Sequence, residues 1–207
     1  MIELYTTASP NGFKITIMLE EIQIPYNLNH IKISNGDNKT KDFLKLSPHG
    51  RIPVIKDTET EITVFESAAI LQYLAEKTSK LLSKDLKTRT QTLQWLMFNS
   101  ATLAPLLGQR VNYELFEDEK IQAAIHRYQK LSNEAFTTMD KHLATHDYFA
   151  GKDYSIADIS AYGWMHICEV IDFKFNQHPH LWRWYQQISK RKAVTKGISL
   201  PNKATGA

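Results

Sequence analysis

Two short stretches of this chain bring together residue types that can hold a small zwitterion. Glu66 and Ser67 stand where a run of β-branched and aromatic residues, Ile62-Thr63-Val64-Phe65, gives way to a helical apolar face at Ala68, Ala69, Leu71, Leu74 and Ala75. A hydroxyl and the N–H groups of a helix start attract an anion, and a carboxylate beside them holds an ammonium. The pair suits the two charges of an α-amino acid. The same residues also read as helix punctuation, Ser67 as an N-cap and Glu66 as a first-turn carboxylate. Upstream, Arg51-Ile52-Pro53-Val54 opens an apolar run with a proline, which cannot donate to a strand ladder and belongs at a strand start or an edge. If the Ile52-Pro53 bond is cis, the backbone N–H and C=O of Ile52 turn outward toward a peptide-like ligand.

Other reactive side chains form weaker patterns. His142 and His146 have the i, i+4 spacing of metal ligands, but neither a third ligand nor the intervening glutamate of a metalloprotease accompanies them, so no metal is expected. A single cysteine, Cys168, rules out an intramolecular disulfide and any Cys-x-x-Cys motif. It sits in an apolar segment, where a packing role is expected.

The elements that must position these residues follow from periodicity. Ile2 to Tyr5 reads as a strand, and Thr6 to Gly12 as a loop entering a helix that runs to about Glu21, with Ser9 as N-cap and Pro10 at the first helical position. Tyr26 to Ile33 alternates as a second strand, Ser34 to Lys41 is a polar loop, and Asp42 to Leu46 a short helical piece. With the two strands and the helix around Pro53 and Ser67 the order is βαβαββα, which fits a thioredoxin-like domain over residues 1–77.

Residues 78–85 read as a linker and 86–207 as an all-helical bundle. From Leu93 one helix carries two stripes, Leu93, Leu96, Met97, Ala101 and Ala104, and Trp95, Phe98 and Thr102. Ile121, Ala124, Ile125, Tyr128, Ser132, Ala135 and Met139 mark a long amphipathic helix. Ser155-Ile156-Ala157-Asp158 is a capping box opening a helix apolar on nearly every side, which belongs in the middle of the bundle. Leu181, Trp184, Tyr185 and Ile188 mark a last helix, and poor order is expected after Gly197.

The strand opened by IPV, the strand ending in FES and the helix AAILQYLAEK resemble the thioredoxin-like domain of glutathione transferases, and YSIADI extends the likeness to their helical domain. SPNGFKITIMLEE and LSPHGRIPVI are most similar to the Nu-class and fungal nitrogen-regulator-like group. The resemblance implies glutathione as co-substrate, a cis Pro53, and contacts from Ile52, Glu66 and Ser67 to its backbone and γ-glutamyl end. It implies that Ser9, standing for a threonine, and Asn11 lie near the sulfur. Asn38 matches a glutamine of the glutathione-binding loop and Arg127 an arginine near the tripeptide, while Lys39 and Arg51 are weaker candidates for the glycine carboxylate.

Glutathione chemistry needs a thiolate. A thiol of pKa about 8.5 must fall by roughly 1.5 to 2 units, about 2 to 3 kcal/mol. A helix N-terminus supplies only about 0.3 to 1 kcal/mol, so one or two hydrogen bonds to the sulfur, each about 1.5 kcal/mol or more, must make up the rest. Asn11, then Ser9, then Tyr5 are the candidate donors.

The resemblance implies a homodimeric enzyme acting on a small-molecule disulfide or electrophile. With no cysteine near Ser9, disulfide exchange falls to glutathione thiols; conjugation and a non-catalytic regulatory module are the alternatives. Across 207 residues the net charge is only +3 and no basic motif stands out, so no nucleic-acid partner is expected. No apolar run suits a membrane and Met1-Ile2-Glu3-Leu4 lacks the layout of a signal peptide, so a cytoplasmic protein is expected.

Overall fold

The computed structural model describes residues 1–203. The chain forms two compact units, Met1–Leu82 together with the chain from Ser189 onward, and Ser83–Ile188.

The first unit is built on four strands, β1 (Ile2–Thr6), β2 (Tyr26–His30), β3 (Val54–Asp57) and β4 (Ile62–Phe65), in the order β2-β1-β3-β4. β1 pairs parallel with β2 and antiparallel with β3, and β3 pairs antiparallel with β4. Three helices alternate with them, α1 (Pro10–Ile22), α2 (Lys41–Leu46) and α3 (Ser67–Thr78). This is the thioredoxin-like order expected. β2 stops at His30 instead of Ile33 because its partner β1 ends there: Thr6 pairs with His30, the Thr6 carbonyl accepts from Ile31 N–H at 2.9 Å, and Ile33–Asn35 turns away as a 3-10 helix. On α3 the buried face is Ser67, Ala68, Ile70, Leu71, Leu74 and Ala75, so Ile70 replaces the expected Ala69.

The helical unit opens with α4 (Leu86–Phe98), which begins seven residues before Leu93 because Asp85 caps it, its carboxylate accepting from Thr88 N–H at 2.9 Å. Wide π turns at Asn99–Leu103 and Asn112–Phe116 flank α5 (Ala104–Val111). The stripe that is buried is Thr92, Leu96, Asn99, Leu103, Leu107 and Arg110, while Met97 is exposed. A π turn widens the helix, so a stripe drawn at a constant 3.6-residue period drifts off the buried side. Next come α6 (Gln122–Leu143), α7 (Ile156–Met165) and α8 (Pro179–Ser189). Ile121 lies just outside α6 and is exposed, and Phe136 is buried in its place.

One more helix follows, α9 (Lys192–Lys203), where poor order was expected after Gly197; residues 204–207 lie outside the described residues. α9 packs on α1 in the first unit, whereas the sequence places everything from residue 86 in the helical part. A Cβ on Gly197 would sit 2.7 Å from Ile17 Cα, Arg191 pairs with Glu21 at 2.6 Å, and Lys196 pairs with Glu20 at 2.7 Å. Among the described residues no helix is long and apolar enough to cross a membrane.

Candidate functional site

Register decides which residues meet. Tyr5 pairs with Val54 and Val54 with Phe65, so the ends of β1 and β4 and the start of β3 lie in one row. The residues just beyond that row, Thr7 to Asn11, Ile52-Pro53 and Glu66-Ser67, are therefore delivered to one end of the sheet. α1 and α3 both begin there and direct their positive dipole ends to it.

At the start of α1, Ser9 is the N-cap: its hydroxyl oxygen accepts from Gly12 N–H at 3.0 Å, and its proton goes to the Thr7 carbonyl at 3.2 Å. Both functions of the hydroxyl are spent on the loop. The loop can close this tightly because residue 12 is glycine; a Cβ would lie 2.4 Å from the Thr7 carbonyl oxygen. Asn11, the second residue of α1, is half-buried at the same corner. Tyr5 packs its side chain with the cluster of Ile31, Phe43 and Val54, a core role.

The Ile52-Pro53 bond is cis, and Ile52 stands outside both sheet ladders, which begin at Val54. Ser47 ties down the approach, its hydroxyl donating to the Arg51 carbonyl at 2.9 Å and accepting from Arg51 N–H at 3.1 Å. The start of α3 departs from ordinary capping. Glu66, not Ser67, occupies the N-cap position, with φ 68° and ψ 116°, and no side chain caps the helix. A non-glycine residue at that φ costs about 1–3 kcal/mol, and such geometry gathers at binding sites. Ser67 is the first helical residue, buried, and its hydroxyl accepts from Lys14 Nζ at 3.4 Å.

Lys14 was missed in the sequence. Its side chain is 1 % exposed, and burial lowers its pKa to about 7 against the opposing field of Glu66. The available signal was position: Gly12 to Leu19 is buried throughout, and Lys14 shares a helical face with Ile17 and Met18.

The outlying candidates are placed differently. Asn38 is buried with its amide donating to the Gly50 carbonyl at 2.8 Å, and Lys39 reaches the His49 carbonyl at 3.4 Å. The Arg51 side chain is exposed, and Arg127 is exposed on α6 of the helical unit.

Within the helical unit, the His142 and His146 rings stack at 4.2 Å, and His142 Nε2 lies 3.1 Å from the Phe149 carbonyl. Among the described residues no group of three His, Cys, Asp or Glu is placed to hold a metal ion. Cys168 is fully buried in a short 3-10 turn after α7, and burial pushes its thiol well up, opposed only by the charge of Arg110. Beside Trp95 an open cleft of about 700 Å³ is lined by Asp85, Leu86, Lys87, Gln91, Gln94 and His142, mixing polar side chains with apolar surface.

Residues 8–77 match the family described as glutathione S-transferase, N-terminal domain, and residues 100–192 match glutathione S-transferase, C-terminal domain. The chain belongs to the glutathione S-transferase family. This transferase is 34% identical to the disulfide-bond oxidoreductase YfcG of Escherichia coli strain K12, over 96% of this chain and 94% of that protein. Solved structures agree along nearly the whole length. A glutathione transferase homolog from Lodderomyces elongisporus with two glutathione molecules per subunit superposes with a TM-score of 0.92 at 31% identity, covering 97% of this transferase and 98% of that chain. A glutathione transferase from Pseudomonas putida with one glutathione disulfide per subunit gives 0.89 at 33%, covering 97% and 91%.

Proposed function

We propose that this transferase binds glutathione at the sheet end described above and uses it to reduce disulfides, drawing on two glutathione thiolates and no cysteine of its own. The observation that carries this is the chemistry of the helix start: α1 opens on Ser9 and Asn11, and the sole cysteine is buried with its thiol held protonated. The first thiolate attacks one sulfur of the substrate disulfide, forming a mixed disulfide and expelling the other sulfur as a thiolate. The second attacks the glutathione sulfur of the mixed disulfide, giving glutathione disulfide and the remaining substrate thiol. The similarity to a disulfide-bond oxidoreductase of E. coli, and to transferases holding two glutathione molecules or one glutathione disulfide, supports a disulfide-reducing role.

In this reading residues 1–77 are the glutathione-binding domain, joined through 78–85 to a helical domain. Ile52 and Pro53 present the backbone that holds the peptide, Glu66 takes the γ-glutamyl ammonium and Ser67 its carboxylate, and Asn11 faces the sulfur. Ser9 shapes the loop, Asn38 holds the Gly50 turn, and Arg127 is a further candidate contact to the tripeptide.

Turnover of hydroxyethyl disulfide with glutathione, measured beside conjugation of a chloronitroarene, tests the reading. Disulfide reduction should be the faster reaction, and Cys168→Ala should retain the wild-type rate. Dominant conjugation would reassign the chemistry. Tight glutathione binding with neither activity would indicate a regulatory module.

A cytoplasmic homodimer belongs to the same proposal. Ile62 and Phe65 are each 45% exposed on the edge strand β4, the kind of apolar surface a partner subunit covers. Sedimentation at micromolar concentration should give twice the chain mass; a monomer would refute this part alone.

A further inference from the structure

The glutathione reading leaves a buried cation beneath its anion site. We propose that Lys14 is a positioning residue for the γ-glutamyl carboxylate: its ammonium holds Ser67 Oγ at the start of α3 and sets a positive charge behind the bound anion. The inference rests on the glutathione reading and extends it to a residue that touches no substrate.

Three observations converge on it. Lysine is almost never fully buried unless something engages its charge, yet Lys14 is 1% exposed, with Nζ 3.4 Å from Ser67 Oγ. That hydroxyl belongs to the first residue of a helix that no side chain caps, and the turn into it at Glu66 is held at φ 68°. Finally, the ion pairs that α1 makes with the chain at α9 lie away from Lys14. Arg191, just before α9, pairs with Glu21, and Lys196 of α9 pairs with Glu20, both toward the far end of α1, whereas at the N-cap of α3 the field of Glu66 reaches Lys14.

Burial lowers the Lys14 pKa to about 7, so at neutral pH the empty site is only partly protonated there. A carboxylate arriving at Ser67 adds negative charge and raises that pKa, so binding takes up a proton. Affinity is then complete below pH 7 and falls as pH rises through the pKa of the complex, by at most about tenfold per unit.

Calorimetric titration with S-methylglutathione, which has no thiol to ionise, reads this directly between pH 6 and 7.5 in two buffers of different ionisation enthalpy. Wild-type protein should take up about half a proton at pH 7. Lys14→Met should bind roughly tenfold more weakly at pH 6 and show no uptake beyond that of the ligand amine. A purely structural lysine would change affinity without proton uptake, and that result overturns the inference. So do wild type and variant that match in affinity and uptake, which leave the glutathione reading standing. Failure of wild type to bind at any pH overturns that reading and the inference together. If Lys14→Met does not fold, the wild-type uptake below pH 7.5 decides alone.

Discussion

Replacing Asp158 by alanine will lower the stability of the chain by about 3–5 kcal/mol, several times the loss of one helix cap. The reason is the number of donors the carboxylate serves. Oδ2 accepts from Ser155 N–H at 2.9 Å and from the Ser155 hydroxyl at 3.0 Å, completing the capping box of α7. Oδ1 accepts from Phe149 N–H at 3.0 Å and from Trp184 Nε1 at 2.9 Å, both buried. Alanine leaves four donors without an acceptor in a place water does not reach, each costing about 1–3 kcal/mol before relaxation. For a chain of this length the melting temperature should fall by roughly 10 °C.

The pH dependence has a definite sign. Burial pushes the Asp158 carboxyl up to about 6, with the four hydrogen bonds pulling the other way. A folded-state pKa raised above the unfolded value gives stability that is complete below the ordinary carboxylate pKa and lost as pH rises through about 6. The difference between wild type and Asp158→Ala should therefore shrink by about 1 kcal/mol from pH 5 to pH 7. Denaturant unfolding at both pH values measures it. A difference that does not move would mean the donors keep the carboxylate ionised throughout.

Asp158 also shows where sequence reasoning stops. Ser155 and Asp158 are three residues apart, so the capping box is legible from spacing alone. The bonds to Phe149 and Trp184 span nine and 26 residues and exist only once the turn before α7 and the helix α8 have packed. The same division runs through the site. Ser9 before Pro10 and Ile52-Pro53 before an apolar run carry their meaning in adjacent residues, and both took the predicted local form. The φ of Glu66 and the burial of Lys14 depend on α1 packing beside α3, which no local window contains. The π turns after α4 are likewise silent in composition, and they displaced a stripe read at constant period. α9 carries only a short basic segment and a glycine as cues, and that glycine matters because of Ile17, far back in the chain.

Asn11→Ala should shift the chemistry rather than the fold. In the proposed glutathione reading Asn11 gives the hydrogen bond that ionises the bound thiol, since the dipole of α1 supplies only about 0.3 to 1 kcal/mol and the Ser9 proton goes to the Thr7 carbonyl. A hydrogen bond to a charged acceptor is worth about 1.5–3 kcal/mol, so its loss should raise the pKa of bound glutathione by about 1–2 units. At pH 7 the thiolate fraction would drop roughly 3- to 50-fold. The freed thiolate is the stronger nucleophile, with a Brønsted slope of about 0.4–0.5, so the net rate loss at pH 7 is at most about 8-fold and nearly vanishes for the smaller shift. The two effects separate with pH: the pH–rate profile should move up by 1–2 units, and near pH 9.5, where both thiols are ionised, the variant should equal or exceed wild type. Thiolate absorbance at 240 nm gives the pKa of the bound ligand independently of turnover. Ser9→Ala is the comparison, expected to cost about 1 kcal/mol of stability through the lost cap while leaving that pKa in place. If instead Ser9→Ala moves the thiol pKa and Asn11→Ala does not, the hydroxyl must turn from Thr7 to the sulfur on binding, and Ser9 rather than Asn11 is the donor.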